Sequence, residues 1–149
     1  MKGIWFFGLS GSGKTYASKF LKSKIDKSFI IDGDIVRKNI SSDLDYDIKS
    51  REIQINRILG ITKIVIVNKY FPIISTVYMN KKIANNLKRL DISLYFIKRN
   101  MDDIFISHPT YKKNKINIVG KDINYEKFEY KTLNNDEENF CNILIKLTS

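Results

Sequence analysis

Short apolar runs alternate along this chain with longer stretches whose apolar residues recur at helical spacing. Ile4–Phe7, Phe29–Ile31, Phe71–Thr76 and Leu94–Ile97 are rich in β-branched and aromatic residues, which predicts strands buried on both faces. Between them Thr15–Lys24 reads as a helix. Asp47–Tyr70 contains a longer one, with Ile48, Ile55, Ile58, Leu59, Thr62, Val65 and Ile66 near helical spacing. Asn80 is placed to cap a third helix that carries Ile83, Ala84, Leu87 and Leu90 on one face. The closing segment NNDEENFCNILIKL, with acids in its expected first turn and Lys146 in its last, fits a helix oriented with its dipole. Strands alternating with helices predict an α/β fold, a mainly parallel sheet covered on both faces in a three-layer α/β/α sandwich. Residues 107–130, SHPTYKKNKINIVGKDINYEKFEY, are polar, lysine-rich and without a clear period, and are expected to form a mobile lid over a ligand. With no internal repeat and no linker, residues 1–149 are expected to form a single domain.

The first strand runs into Gly8-Leu9-Ser10-Gly11-Ser12-Gly13-Lys14-Thr15, a full G-x-x-x-x-G-K-[ST] match. Glycines let the backbone curl so that its N–H groups face phosphate oxygens, and the helix that follows adds the positive end of its dipole. In such a loop Gly8, Ser10, Gly11, Ser12 and Gly13 cradle the phosphates. Lys14 reaches the β- and γ-phosphates, and the Thr15 hydroxyl ligates Mg²⁺. A chance glycine-rich turn is the plainer reading, and the flanking strand and helix argue against it. The expectation is a P-loop NTPase fold that binds ATP with Mg²⁺.

A second acidic signal follows the second strand. Asp32-Gly33-Asp34 lies where ligands gather in an α/β sheet, at the carboxyl ends of the strands. If both strands end on one side, these carboxylates face the γ-phosphate, where one can hold Mg²⁺ through water or accept a proton from an attacking hydroxyl. Gly33 keeps that turn compact. Arg37, one turn into the next helix, can grip an anion with its guanidinium fork. The plainer reading makes Asp32 a helix cap and Arg37 a surface residue. No GTPase-like NKxD stretch is present, so a kinase for a small acceptor fits best.

Charge and cysteine content narrow the class. The 149 residues carry 26 Lys+Arg against 16 Asp+Glu, a net charge of +10 that favours anionic partners such as nucleotides. Hydrophobic residues make up 43%, as in a globular domain. No basic face interleaved with aromatics is visible, which argues against nucleic acid as the partner. No apolar run reaches the length of a membrane span, and glycines with Lys14 interrupt the N-terminal one before it could serve as a secretion signal. The one cysteine, Cys141, has no disulfide or metal partner and is expected to be a small buried hydrophobe on the last helix. A cytoplasmic protein is expected.

These residues together resemble the adenylylsulfate kinase family, which joins GLSGSGKS to a downstream DGDNxR, then DLGF, then DRxENIRR. The counterparts here are GLSGSGKT, Asp32-Gly33-Asp34-Ile35-Val36-Arg37, Asp43-Leu44-Asp45-Tyr46 and Ser50-Arg51-Glu52-Ile53-Gln54-Ile55-Asn56-Arg57, with matched spacing from Asp32 to Arg57. Weaker similarity continues through Tyr111-Lys112-Lys113 to Gly120–Glu126. The resemblance implies transfer of the γ-phosphate of ATP to the ribose 3′-hydroxyl of a nucleotide. By the same resemblance Asp32 is the base or metal partner and Asp34 supports it. Arg37 and Arg51 grip the acceptor's anion, and Tyr46 takes the place of a phenylalanine that stacks on the acceptor base. It also implies a homodimer, although no interface is legible in the sequence.

The departures from the family pattern fall in the acceptor half. The asparagine of DGDN is Ile35, that of ENIRR is Gln54, and the first arginine of that pair is Asn56. SPYR stands as Tyr78-Met79-Asn80-Lys81. KxFTG, whose phenylalanine closes the base sandwich, stands as Asn117-Ile118-Val119-Gly120. The arginine of RDP is replaced near Ser107-His108-Pro109. A site that hydrogen-bonds one acceptor group rejects analogues strongly, and Ile118 in place of phenylalanine fits a smaller base. The sequence is similar to a capsule-associated branch of the family that phosphorylates cytidine diphosphoramidate, the acceptor expected here; adenylylsulfate is the alternative.

Other residues read more plainly. His108 fits a turn before Pro109, with a phosphate contact at the lid's edge as the second reading. Lys112, Lys113 and Lys115 close on phosphates or are solvated. Trp5, Phe6, Phe7, Tyr95 and Phe96 are expected in the core. The competing functions are another small-molecule P-loop kinase and a nucleic-acid-binding or regulatory ATP module.

Overall fold

The computed structural model describes residues 1–100, 102–104, 108–109, 118–135 and 138–148. Five strands form one sheet, β1 (Gly3–Phe7), β2 (Ser28–Asp32), β3 (Phe71–Thr76), β4 (Ile92–Lys98) and β5 (Lys131–Asn134), in the order β2-β3-β1-β4-β5. All four pairings are parallel. The helices are α1 (Lys14–Lys22), α2 (Gly33–Asn39), α3 (Ile48–Val67), α4 (Lys81–Arg89) and α5 (Phe140–Lys146). This is the α/β sandwich expected from the alternation of elements.

Central β1 is buried throughout, and its alternate side chains feed the two faces. Ile4 and Phe6 meet Ala17 and Leu21 of α1, with Phe140 and Leu144 of α5. Trp5 and Phe7 meet Val36 of α2, Ile55, Ile58 and Leu59 of α3, and Ile83 and Leu87 of α4. Burying each large apolar side chain of this kind stabilises the fold by roughly 1.5–3 kcal/mol. The Trp5 indole N–H donates to Thr76 Oγ1 at 2.8 Å, so the one polar atom of that side chain is satisfied inside the core.

Four expectations need correction. β2 is an edge strand, so Phe29 is half exposed rather than covered on both faces. Cys141 is exposed, its Sγ 2.8 Å from the Tyr16 hydroxyl; Phe140 and Leu144, four residues apart, take the inward face of α5 and leave position 141 turned away. α5 begins only at Phe140 with no acid in its first turn, so the acidic half of the expected match to the dipole is absent, while Lys146 stands in the last turn as expected. Ile48 of α3 is also exposed. Strand β5 was not expected: KTLN is short and polar, and only Leu133 is buried.

Of the stretch expected as a lid, residues 118–130 are held against the body. Val119 and Ile123 are buried in the core of the α3 face, and Tyr125 donates its hydroxyl to Val77 O at 2.6 Å. Tyr125, Phe128 and Tyr130 surround Phe7 and Phe96, with ring centroids 5.2–5.6 Å from Phe7. Tyr111, Lys112, Lys113, Lys115 and Asn117 lie outside the described residues.

Candidate active site

Parallel register decides where the two acidic and glycine-rich turns lie. Asp32 pairs with Ser75, and Phe7 with Thr76, so β1, β2 and β3 end level on one edge of the sheet. The loop Gly8–Gly13 and the turn Asp32-Gly33-Asp34 therefore open into the same space, a cavity of about 1050 Å³. Ser10, Gly11, Gly13, Lys14 and Thr15 line it together with Asp32 and Asp34, and so do Arg37, Tyr46, Arg51, Gln54 and Ile118. Gly8 and Ser12 sit behind the loop and do not line it.

The loop is shaped from outside by side chains of distant strands. Arg99, just after β4, donates to Gly11 O at 3.0 Å, and Asn135, just after β5, donates to Ser12 O at 2.8 Å. The N–H and C=O of one trans peptide point opposite ways, so holding the Ser12 carbonyl outward turns the Gly13 N–H to the cavity side. Gly13 has φ 103, a left-handed conformation that other residues rarely adopt, and a Cβ there would lie 2.4 Å from Asn135 Nδ2. Arg99 and Asn135 were not visible as site residues in the sequence, because only the parallel sheet brings them to the loop.

Lys14 begins α1, and its Nζ donates to Gly8 O at 2.9 Å and Leu9 O at 2.7 Å. Burial pushes this amine down to about 8, against the pull of Asp34 and, more weakly, Asp32 across the cavity. Asp32 does two jobs. Its Oδ1 accepts from the N–H groups of Asp34 and Ile35 at 2.9 and 3.3 Å, capping α2, and its Oδ2 accepts from Ser75 Oγ at 3.2 Å. Capping and a place on the cavity are thus both true of this carboxylate. Gly33 lets the turn press on β3: a Cβ there would lie 3.0 Å from Ser75 O.

Cations gather around one aromatic ring of the cavity lining. The Arg37 and Arg51 guanidinium carbons lie 4.5 and 5.7 Å from the Tyr46 ring centroid, Arg37 stacked the more closely. Arg37 Nη1 also donates to Leu44 O and Asp45 O, and Arg51 Nε to Tyr46 O, so both shape the 44–46 loop as well as facing the cavity. Burial, then repulsion from Arg37, lowers the proton affinity of Arg51. Two guanidinium groups held this close make a site for an anion. Arg57 and Asp43 form a paired salt bridge at 2.6 and 2.9 Å that ties the loop to α3.

Gln54 is buried, with its amide N–H donating to Gly33 O at 2.9 Å, a bond within the protein; its Oε1 has no partner among the described residues. Ile118 is buried and reaches the cavity. Ile35 is exposed and off the cavity wall. At the SPYR position, Asn80 caps α4 through Ile83 N, and Glu126 accepts from Lys81 N–H, so these residues serve the helix.

Among the described residues no three His, Cys, Asp or Glu side chains gather as a metal site. A nucleotide-bound Mg²⁺ needs less, one or two protein oxygens beside the phosphates. Thr15 and Asp32, both on the cavity wall, fit that requirement.

The family model for adenylylsulphate kinase matches residues 2–127. The chain belongs to the adenylylsulphate kinase family. Among relatives, the adenylyl-sulfate kinase of Buchnera aphidicola from Acyrthosiphon pisum is 28% identical over 110 residues, 71% of this chain and 51% of that protein. The Bacteroides fragilis YCH46 adenylyl-sulfate kinase is 30% identical over 121 residues, 78% of this chain and 57% of that protein. The chain thus spans about half the length of the curated relatives it matches. The Mycobacterium tuberculosis APS kinase CysC, solved in complex with AMPPNP and APS, has the same fold at TM-score 0.84 and 18% identity, with 98% of this chain and 96% of that chain covered. Against this adenylylsulphate kinase background, Ser75, Arg99 and Asn135 are the site neighbours that the sequence motifs do not include, and His108, which fits a turn by sequence, lines the cavity as well.

Proposed function

We propose that this chain is an ATP-dependent kinase that transfers the γ-phosphate to the ribose 3′-hydroxyl of a small nucleotide. One observation carries the reading: Lys14, the carboxylates of Asp32 and Asp34, and the Arg37–Tyr46–Arg51 cluster share a single cavity. The donor lies in the cradle from Gly8 to Thr15, with Lys14 on its terminal phosphates. The acceptor lies with its anion on Arg37 and Arg51 and its base near Tyr46 and Ile118. Asp32 accepts the hydroxyl proton through the oxygen that faces Ser75, while the acceptor oxygen bonds the γ-phosphorus and the bond to ADP breaks. Asp34 adds the second negative charge opposite Lys14. Thr15 and Asp32 would hold Mg²⁺, which would supply neutralisation of phosphate charge. A reaction supplied by ATP fits a cytoplasmic enzyme; assembly as a homodimer is tested by light scattering.

For the acceptor we favour cytidine diphosphoramidate, a step in capsular phosphoramidate synthesis. Gln54 and Ile118 depart from the family on the cavity wall, whereas Ile35 and Asn56 lie off it, and Ile118 offers a small aliphatic wall where an aromatic ring would stack on adenine. Adenylylsulfate is the second reading, favoured by the names of the relatives. ADP production with Mg·ATP and, separately, adenylylsulfate, cytidine diphosphoramidate and CDP decides between them. A preference for the cytidine compounds supports the first reading and a preference for adenylylsulfate the second. ADP release indifferent to any nucleotide sinks both.

A further inference from the structure

His108 is the histidine that the motifs leave without a task, and it lies on the phosphate cradle. A Cβ placed on Gly11 would come within 2.8 Å of His108 Cδ2 and 3.1 Å of its Cγ, so the ring rests directly on the bare α-carbon at the middle of the loop. His108 lines the same cavity as Gly11, Lys14 and Asp34. Its backbone is fixed: the N–H donates to Ile104 O at 2.9 Å, and Pro109 follows with a constrained φ. The ring is therefore half-buried, at a place where only glycine leaves room for it.

We propose that His108 is a phosphate-contacting residue, donating from its imidazole to the phosphate chain of a nucleotide in the cradle. This rests on the reading of Gly8–Thr15 as a nucleotide site. The charged groups around the ring come from three elements. Lys14 of α1 disfavours the imidazolium and Asp34 of α2 favours it, while Arg99, after β4, bonds the carbonyl of the same Gly11. Burial and then Lys14 hold the empty site's imidazole below its ordinary value. A polyanion beside it reverses that balance, so nucleotide binding takes up a proton and weakens as pH rises from 6 towards 8.

The test titrates Mg²⁺ with a non-hydrolysable ATP analogue into the wild-type protein and the variants His108→Ala, His108→Gln and Lys14→Ala, at pH 6 and pH 8. The nucleotide's own titration is common to all four and cancels in the ratios. His108→Ala is expected to bind about tenfold more weakly than wild type at pH 6, with a smaller deficit at pH 8. His108→Gln, which keeps an N–H without the charge, should fall between them and lose the pH dependence. If Lys14→Ala loses binding while His108→Ala matches wild type at both pH values, the cradle stands and the role of His108 is overturned. If Lys14→Ala binds normally, the nucleotide site itself is misplaced and the inference falls with it.

Discussion

The two halves of the cavity are made by different means. The phosphate half is a main-chain construction: the loop after β1 and the turn after β2 are held by carbonyls, amide N–H groups and glycines whose conformation few other residues share. The acceptor half is a side-chain construction in which Tyr46, Arg37, Arg51, Gln54 and Ile118 come from four separate segments. Its members and their supports are held by side-chain contacts such as Arg57 with Asp43, Gln54 with Gly33 and Tyr125 with Val77. A main-chain site tolerates few changes of residue, because each glycine answers a backbone need. A side-chain site can be retuned one residue at a time, and two departures from the family pattern, Gln54 and Ile118, lie on its wall.

The largest effect that would probe this contrast concerns Asp32, which belongs to both the backbone and the chemistry. Asp32→Asn keeps an oxygen to cap α2 but removes the charge, and turnover is expected to fall roughly 10²–10⁴-fold with stability nearly unchanged. Asp32→Ala should lose the same activity and also about 1 kcal/mol of stability, since the cap is gone. Thermal melts beside steady-state rates separate the two; a normal rate in Asp32→Asn would leave only the capping role. Next comes Lys14→Ala, expected to lower turnover roughly 10²–10³-fold with the circular dichroism spectrum unchanged. The depressed proton affinity of Lys14 also sets a sign. With the free amine at about 8 and raised by bound phosphate, nucleotide affinity should fall as pH rises from 8 upward. An affinity flat from pH 8 to 10 would show that Lys14 is not on the phosphates.

The same contrast explains what could be read from the sequence. The cradle and the DGD turn were legible because their chemistry is written in contiguous residues, and the edge where they meet followed from strand alternation. Ser75, Arg99 and Asn135 were not legible: each acts on a partner at least 43 residues away in the chain, through a register that only the folded sheet supplies. The segment after Ile118 was misjudged for a related reason. Val119, Ile123, Tyr125, Phe128 and Tyr130 follow neither a period of 2 nor one of 3.6, yet all five find apolar or aromatic neighbours. Cys141 and Phe29 were placed inside on residue type alone, without the helix phase or the edge position that exposes them.

In the acceptor half a single side chain should move one substrate and not the other. Arg51→Ala removes one of two guanidinium groups beside Tyr46 and is expected to raise the acceptor KM roughly tenfold to a hundredfold, as for a lost charge-assisted hydrogen bond. The KM for ATP should stay within about twofold, because the contacts of Arg51 are with Tyr46 and its loop. Equal rises in both constants would mean that Arg51 supports the fold of the 44–46 loop and does not hold the acceptor.

The smallest effect is the most informative about retuning. Gln54→Asn restores the family's residue but shortens the side chain by one methylene, so its amide no longer reaches Gly33 O. If Gln54 serves mainly to hold Gly33, the variant should lose about 1 kcal/mol of stability and leave acceptor preference unchanged. Its Oε1, buried without a partner among the described residues, allows a different outcome. Should the ratio of rates with cytidine diphosphoramidate and adenylylsulfate shift more than about tenfold while the melting temperature holds, Gln54 is reading the acceptor itself. The acceptor half would then owe part of its specificity to a residue whose visible bond is to its own backbone.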